Sequence, residues 1–272
     1  MACGRSGTSA LGHALGQHPG LSYLRDPTHL WAAIDPALDL TNLHARGTPR
    51  LWFEDDANER ERLLFARTFA PDCREGARLL EKTPHNIFRA RWIRSLAPSA
   101  RFLHIHRDGA DVASSIERIA DSPPTYRILG RPAHHQWWGE QRVKWDVIAS
   151  EAHDRPGVPD PRPLTREIDR GAFEWLLSEL EADRLREELA DRWLTISYHD
   201  LTHQPEETLT RIAQLAELEA DGAWLETAAS GLTSRPSASR QIALHPTLVE
   251  PFNERQQALG YTSIATARQA PL

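Results

Sequence analysis

Cysteine is almost absent: Cys3 and Cys73 are the two in 272 residues. That count excludes a disulfide-stapled scaffold and the paired spacings of a zinc site, and makes a reducing compartment, the cytoplasm, the expected location. Long apolar runs are missing too. No window approaches the ~18 consecutive apolar residues of a membrane span, and no signal-peptide pattern opens the chain, so no membrane partner is expected. Positive charge is not in excess, and a formal net charge of −6 argues against a nucleic-acid partner. Lysine is scarce: Lys82 and Lys144 stand alone among 32 Lys and Arg residues, a skew typical of a GC-rich genome rather than of function. There are no internal repeats or low-complexity tracts. The length suits a single domain with a sizeable core, with or without an elaborated cap.

Two short stretches carry most of the information. The first, Gly4-Arg5-Ser6-Gly7-Thr8-Ser9, is a turn of small residues opening onto a helix whose buried stripe is marked by Ala10-Leu11 and Ala14-Leu15 and which closes at His18-Pro19-Gly20. Such a helix start is an anion site: Gly7 lets the backbone approach, successive N–H groups point outward, and the hydroxyls add donors. It is not a Walker-type loop, because Arg5 precedes the glycine and no Gly-Lys pair follows. ATP or GTP hydrolysis is therefore disfavoured. The second stretch is an apolar strand, Arg101-Phe102-Leu103-His104-Ile105-His106, delivering Arg107 at its end. An amphipathic helix follows, with Val112, Ala113, Ile116 and Ile119 on one face and Ser115 one position off it. His104 and His106 lie on one face of that strand with no third ligand in sight, and neither they nor His134-His135 imply a metal.

Short apolar strands at 78–82, 101–106 and 193–198 alternate with helices at 6–17, 85–96, 111–119 and 206–217. A strand should also precede the anion loop and needs about five residues, yet only Met1-Ala2-Cys3 stand before Gly4. Either that strand is a stub or the start has been trimmed or assigned late. The alternation predicts βαβ units and an α/β, three-layer fold with a central parallel sheet, ligands binding at the carboxyl ends of its strands. Between these blocks, 28–77 and 120–170 read as a cap or acceptor-pocket insertion, unless their tryptophans, among them Trp137, Trp138 and Trp145, simply pack a core of their own.

The paired stretches resemble the sulfotransferases that use 3′-phosphoadenosine 5′-phosphosulfate (PAPS). In that family an R-S-G-T-[ST] loop cradles the 5′-phosphosulfate, and an Arg followed eight residues later by a Ser binds the 3′-phosphate. Arg5-Ser6-Gly7-Thr8-Ser9 and Arg107 with Ser115 fit both patterns. Glu81-Lys82-Thr83-Pro84-His85-Asn86 is similar to a block of the bacterial and Golgi-type members, and 194–201 resembles the strand ending in Y-E-D-L, with His199 in place of the usual acidic residue. The four blocks span roughly 1–218.

The resemblance implies a P-loop-like sulfotransferase domain over 1–272, PAPS as co-substrate with no metal, and a small-molecule or carbohydrate acceptor. It implies that Arg5 and Lys82 neutralise the departing nucleotide, that Arg107 and Ser115 grip the 3′-phosphate, and that Tyr198 lies near the nucleotide. The tail 234–240 is a candidate to close over the same phosphate, although the Gly-rich basic ending of cytosolic relatives is missing. For the base, the protein-tyrosine type places a Glu 21 residues after the loop Arg, just past an H-P pair. Here that position is Asp26, after His18-Pro19, and Asp26 is the first choice. His85 is the second, because Pro84 occupies the place of the catalytic His of cytosolic relatives. Two other functions stay open: an ATP-dependent small-molecule kinase, and a 3′-phosphoadenosine nucleotide binder without turnover.

Overall fold

The computed structural model describes residues 1–121, 127–128, 131–132, 137–233 and 240–268. In chain order its elements are α1 (Thr8–Leu15), β1 (Leu21–Arg25), α2 (Thr28–Ile34), α3 (Glu59–Phe69), β2 (Arg78–Lys82), α4 (Ala90–Leu96), β3 (Phe102–His106), α5 (Gly109–Ala120), β4 (Arg127–Ile128), β5 (Arg131–Pro132), α6 (Val143–Ala152), α7 (Glu167–Leu189), β6 (Trp193–Ser197), α8 (Tyr198–His203), α9 (Pro205–Leu215), α10 (Gly222–Ser230), β7 (Gln241–Leu244), α11 (Pro246–Ala258) and β8 (Ile264–Ala267). The fold is mixed α/β. β1 pairs with β2, β3 with β6 and β7 with β8, all parallel, whereas β4 and β5 pair antiparallel. Among the described residues no helix is long and apolar enough to cross a membrane.

The chain divides into two compact units, the first comprising Met1–Asp35, Phe53–Arg107 and Glu181–Pro236. Its β1 runs in register with β2, from Leu21 opposite Arg78 to Arg25 opposite Lys82. The sequence reading had no strand at 21–25. What seats it is close packing on α1: a Cβ on Gly12 would lie 2.2 Å from the Tyr23 hydroxyl, and one on Gly16 would lie 2.8 Å from the same ring. Burial there pushes the Tyr23 phenol up to about 12. β3 pairs with β6 from Phe102 opposite Trp193 to His106 opposite Ser197. Leu11, Leu15, Ile105, Ile196, Leu209 and Ile212 form the core between these strands and α1, α9 and α10. The Trp224 indole N–H closes it by donating to the Ala14 carbonyl at 3.2 Å.

Two expected elements differ in detail. The helix expected at 85–96 is a 3-10 turn, Pro84–Arg89, followed by α4; Pro84 starts the turn and removes a backbone donor. The strand expected to reach 198 ends at Ser197, whose hydroxyl accepts the Asp200 N–H at 2.9 Å and so caps α8, one helix before α9.

The second unit comprises Pro36–Trp52, Asp108–Leu180 and Ser237–Leu272. Its α5 is capped by the Asp108 carboxylate, which accepts from the Ala110 and Asp111 N–H groups, while Gln256 accepts from Gly109 N–H at 2.9 Å. Trp138 and Trp145 are buried, with Trp145 edge-on to both Trp138 and Phe173. These two rings therefore pack a core rather than face an acceptor. Trp137 is half-buried and donates its indole N–H to Glu174 at 2.7 Å. The same carboxylate takes the buried Lys144 ammonium at 2.8 Å, so the charge is paired where water is excluded.

In the first unit, Glu81 organises the far face of β2. Leu80 packs toward α1 and α9, so the next side chain turns to the opposite face. There the Glu81 carboxylate accepts from the Trp31 indole at 3.0 Å, from the Asn86 amide at 2.9 Å and from the Thr83 hydroxyl. Trp31 is itself packed against Phe65, Phe69 and Trp92. Desolvation lifts the Glu81 carboxyl above its ordinary value, outweighing the three donors. The folded state thus binds this proton more tightly than the unfolded chain does. Its stabilising effect is complete below the unfolded value of 4.5 and is lost as pH rises through the raised one. Glu81→Gln removes that dependence, and Asn86, whose buried amide oxygen has no hydrogen-bond partner among the described residues, can flip to accept from the new amide. The melting temperature of Glu81→Gln relative to wild type is expected to improve as pH rises above 4.5. A difference that does not change with pH would refute this account.

Candidate active site

The anion loop takes its shape from two left-handed residues flanking Ser6: Arg5 at φ 73° and Gly7 at φ 99°. At Gly7 the conformation is free of Cβ strain; at Arg5 it costs of order 1 kcal/mol and must be held by its surroundings. The first helical bond of α1 runs from Leu11 N–H to the Gly7 carbonyl at 3.1 Å. The N–H groups of the first turn therefore point out of the helix, with no acidic side chain there to occupy them. Ser6 is fully buried, and its hydroxyl has no hydrogen-bond partner among the described residues. Thr8 is buried, whereas Arg5 and Ser9 are exposed.

Gly7 also meets the end of β6. A Cβ at this position would lie 2.3 Å from Cδ2 of Tyr198, so the ring rests directly on the loop backbone. The Arg107 guanidinium lies over the same ring, 4.7 Å from its centroid. Three sequence blocks about 100 residues apart from one to the next thus converge on one aromatic side chain.

The fourth block arrives through β1 and β2. The backbone N–H of Asp26 donates to the Lys82 carbonyl at 2.9 Å, extending the parallel ladder one residue beyond β1. The Lys82 ammonium in turn donates to the Asp26 carboxylate. Asp26 sits at φ 46°, a second left-handed residue of the site that lacks the freedom of glycine. Its side chain is 43% exposed while that of Lys82 is 10% exposed, so the pair presents the carboxylate outward and keeps the ammonium beneath it. Lys82, Thr83 and Thr8 also share the wall of one cavity. His85 lies half-buried in the 3-10 turn beyond Lys82, outside that ion pair. Sequence reasoning did not single out Glu81, although a glutamate beside a lysine at a strand end, followed by Thr and Asn, was the available signal.

Arg107 ends the first unit's second segment, and the chain continues into α5 of the other unit. Asp108 caps α5, and Asp111 is paired with Arg240 at 2.9 Å. Ser115 is buried one turn after Asp111 on the same helix face. Of the tail 234–240, only Arg240 falls within the described residues, and His134-His135 lie outside them. His104 is buried, with its ring stacked on Trp193 and on His106. Among the described residues no three His, Cys, Asp or Glu side chains are grouped to hold a metal ion.

Residues 1–151 match the model of a family described as "Sulfotransferase family". The chain is similar to a sulfotransferase from Alicyclobacillus acidocaldarius at 15% identity, covering 95% of this chain and 93% of that one with a TM-score of 0.49. It is also similar to sulfotransferase STF9 from Mycobacterium avium at 14% identity, covering 98% of this chain and 77% of that one with a TM-score of 0.48. No curated protein matches it. The matched stretch is more than half of the sequence and contains the anion loop, Asp26, Lys82, Arg107 and Ser115. The chain belongs to the sulfotransferase family.

Proposed function

We propose that the protein transfers a sulfuryl group from PAPS to a hydroxyl or amine of a small-molecule or carbohydrate acceptor. The observation that carries this reading is the Tyr198 ring, in contact with Gly7 of the anion loop and with the Arg107 guanidinium. A nucleotide with phosphates at both ends of its ribose needs such a pair of anion sites at a fixed separation. The buried Ser6 hydroxyl and the bare backbone at Gly7 suit the 5′ end. Arg107 suits the 3′ end, with Ser115, eight residues on, as the partner that the family's sequence pattern gives it. On this reading β1–β2 and β3–β6 belong to one parallel sheet of a three-layer, P-loop-like sandwich, and 28–77 and 120–170 select the acceptor. Cys3 and Cys73 are both free thiols, in keeping with a cytoplasmic setting.

PAPS supplies an activated sulfuryl group whose transfer leaves negative charge on the nucleotide. The protein's part is positional and electrostatic, as in phosphoryl transfer. The first-turn N–H groups of α1 and the hydroxyls of Ser6, Thr8 and Ser9 hold the 5′ oxygens. Arg5, exposed at the mouth of the loop, can take two of them with its planar fork. Lys82 offers a compact positive charge at the end of β2. The Asp26 carboxylate, already outward and held in place by Lys82, accepts the proton of the acceptor hydroxyl as the oxygen–sulfur bond forms. With that proton transferred, Lys82 is released to face the negative charge of the departing nucleotide.

Calorimetry without metal is expected to give micromolar binding of 3′-phosphoadenosine 5′-phosphate and at least tenfold weaker binding of 5′-AMP. Arg107→Ala should weaken the former by about 10- to 100-fold, the scale of a charge-assisted hydrogen bond. Equal binding of the two nucleotides would refute the two-phosphate reading, and a requirement for magnesium would favour a kinase.

Asp26→Asn is expected to lower kcat by about 10²- to 10⁴-fold, the usual range for loss of a general base, with nucleotide affinity retained. His85→Ala should keep most of its turnover. Full activity in Asp26→Asn and none in His85→Ala, each with nucleotide bound normally, would move the base to His85.

A further inference from the structure

The first unit contains a cavity of about 480 Å³ between β2 and β3, running from Lys82 and Thr83 at one end to Arg78 and Arg101 at the other. Leu11 and Leu15 of α1 with Ile212 of α9 line one side of it; Trp31, Phe65 and Phe69 line the other. It is therefore roofed and floored by apolar helix faces, as a strand in the middle of a parallel sheet would be. Its two remaining walls are strand edges. Among the described residues β2 pairs only with β1, and β3 only with β6.

We propose that this slot seats a central parallel strand made of about five mostly apolar residues that precede Met1 in the polypeptide. The backbone at Met1 already has the hydrogen-bond pattern of such a strand. Its nitrogen donates to the Leu103 carbonyl at 2.7 Å and its carbonyl accepts from Ile105 N–H at 3.2 Å. One residue bonded to positions j−1 and j+1 of its neighbour is a parallel bridge, here opposite His104. On the other side, Ala2 N–H donates to the Pro84 carbonyl at 3.3 Å, just past β2. Met1 and Ala2 thus occupy the carboxyl end of the slot, and chain entering them in the same direction runs between β2 and β3.

The ladders agree. Arg78 and Lys82 direct backbone groups toward the β1 side, to Gly20 and Asp26, so alternation turns those of Leu79 and Glu81 toward the slot. The wall offered by β2 is five residues long, Arg78–Lys82, or about 16 Å of strand. Apolar helices on both faces call for an apolar run rather than alternation. Burial also pushes the Met1 amino group down to about 6, a cost that an uncharged peptide N–H in the same place does not bear.

The test compares the 272-residue chain with two extended forms carrying five residues ahead of Met1, one of alternating Val and Ile, the other of Gly and Ser. Hydrogen exchange should slow at least tenfold at the Leu79, Glu81 and Leu103 amides in the apolar form only, with a rise in melting temperature. No slowing, or equal slowing by both extensions, overturns the proposal. Concentration-dependent protection of the same amides in the unextended chain overturns it in favour of a second copy's strand. An intact mass beginning at Met1 or Ala2 for the protein from its natural source overturns it as well, whatever the engineered forms do.

Discussion

The missing side chain at Gly7 is the constraint around which the site is built. With φ at 99° and the Tyr198 ring against its backbone, position 7 has room for no Cβ. That contact holds the end of β6 against the start of α1. The other contact of the ring, with the Arg107 guanidinium, ties in the end of β3. A parallel arrangement brings strand carboxyl ends to one edge, but it does not fix the distance between an anion loop and a cation at the end of a neighbouring strand. An aromatic side chain packed between them does, since a planar ring has one thickness and few rotamers.

The charges follow a similar economy. Both lysines of the chain are buried, Lys82 at 8% and Lys144 at 1% exposure. Each donates to a carboxylate, Asp26 or Glu174. A guanidinium in these places would bring five donors in a rigid plane and require partners for them, while an ammonium is a compact point charge on a flexible stem. Lys144 is also covered by the faces of Trp137 and Trp138, at 4.1 and 5.2 Å from the ring centroids, which fits a structural cation. Lys82 differs in having an exposed partner. That carboxylate, 43% exposed, keeps its contact with water while the ammonium stays beneath it.

Much of this was legible in the sequence. β2, β3 and β6 fall where apolar runs end in Lys82, Arg107 and Tyr198, because strand burial on both faces writes itself as a continuous apolar stretch. The loop and α5 were legible through glycine and capping chemistry, which are local. β1 was not. Leu21-Ser22-Tyr23-Leu24-Arg25 is short, interrupted by Ser22 and Arg25 and preceded by His18-Pro19-Gly20, which reads as the end of a helix and the start of a loop. The evidence for it lay in Gly12 of α1 and Gly16 at its end, a pair of small residues that leaves room for the Tyr23 ring. For Trp138 and Trp145 the sequence left two readings, an acceptor pocket or a core of their own. Their composition suggested a ligand platform, and their neighbours, Phe173 and each other, are what bury them.

The geometry of the site and the filling of the slot between β2 and β3 are one problem. Asp26 and Lys82 belong to the β1–β2 pair, whereas Arg107 and Tyr198 belong to the β3–β6 pair. Two-stranded pieces are marginal by themselves, and a sheet gains its stiffness from three or more strands under a shared apolar face. Backbone continuous with Met1 and running into Gly4 lies between the two pairs, and through the loop it bears on both anion sites. On the proposed function, whatever fills that slot supports, together with the Tyr198 ring, the spacing of Gly7 and Arg107. A strand in that space would join the two pairs into one sheet and hold the elements of the proposed site on one frame.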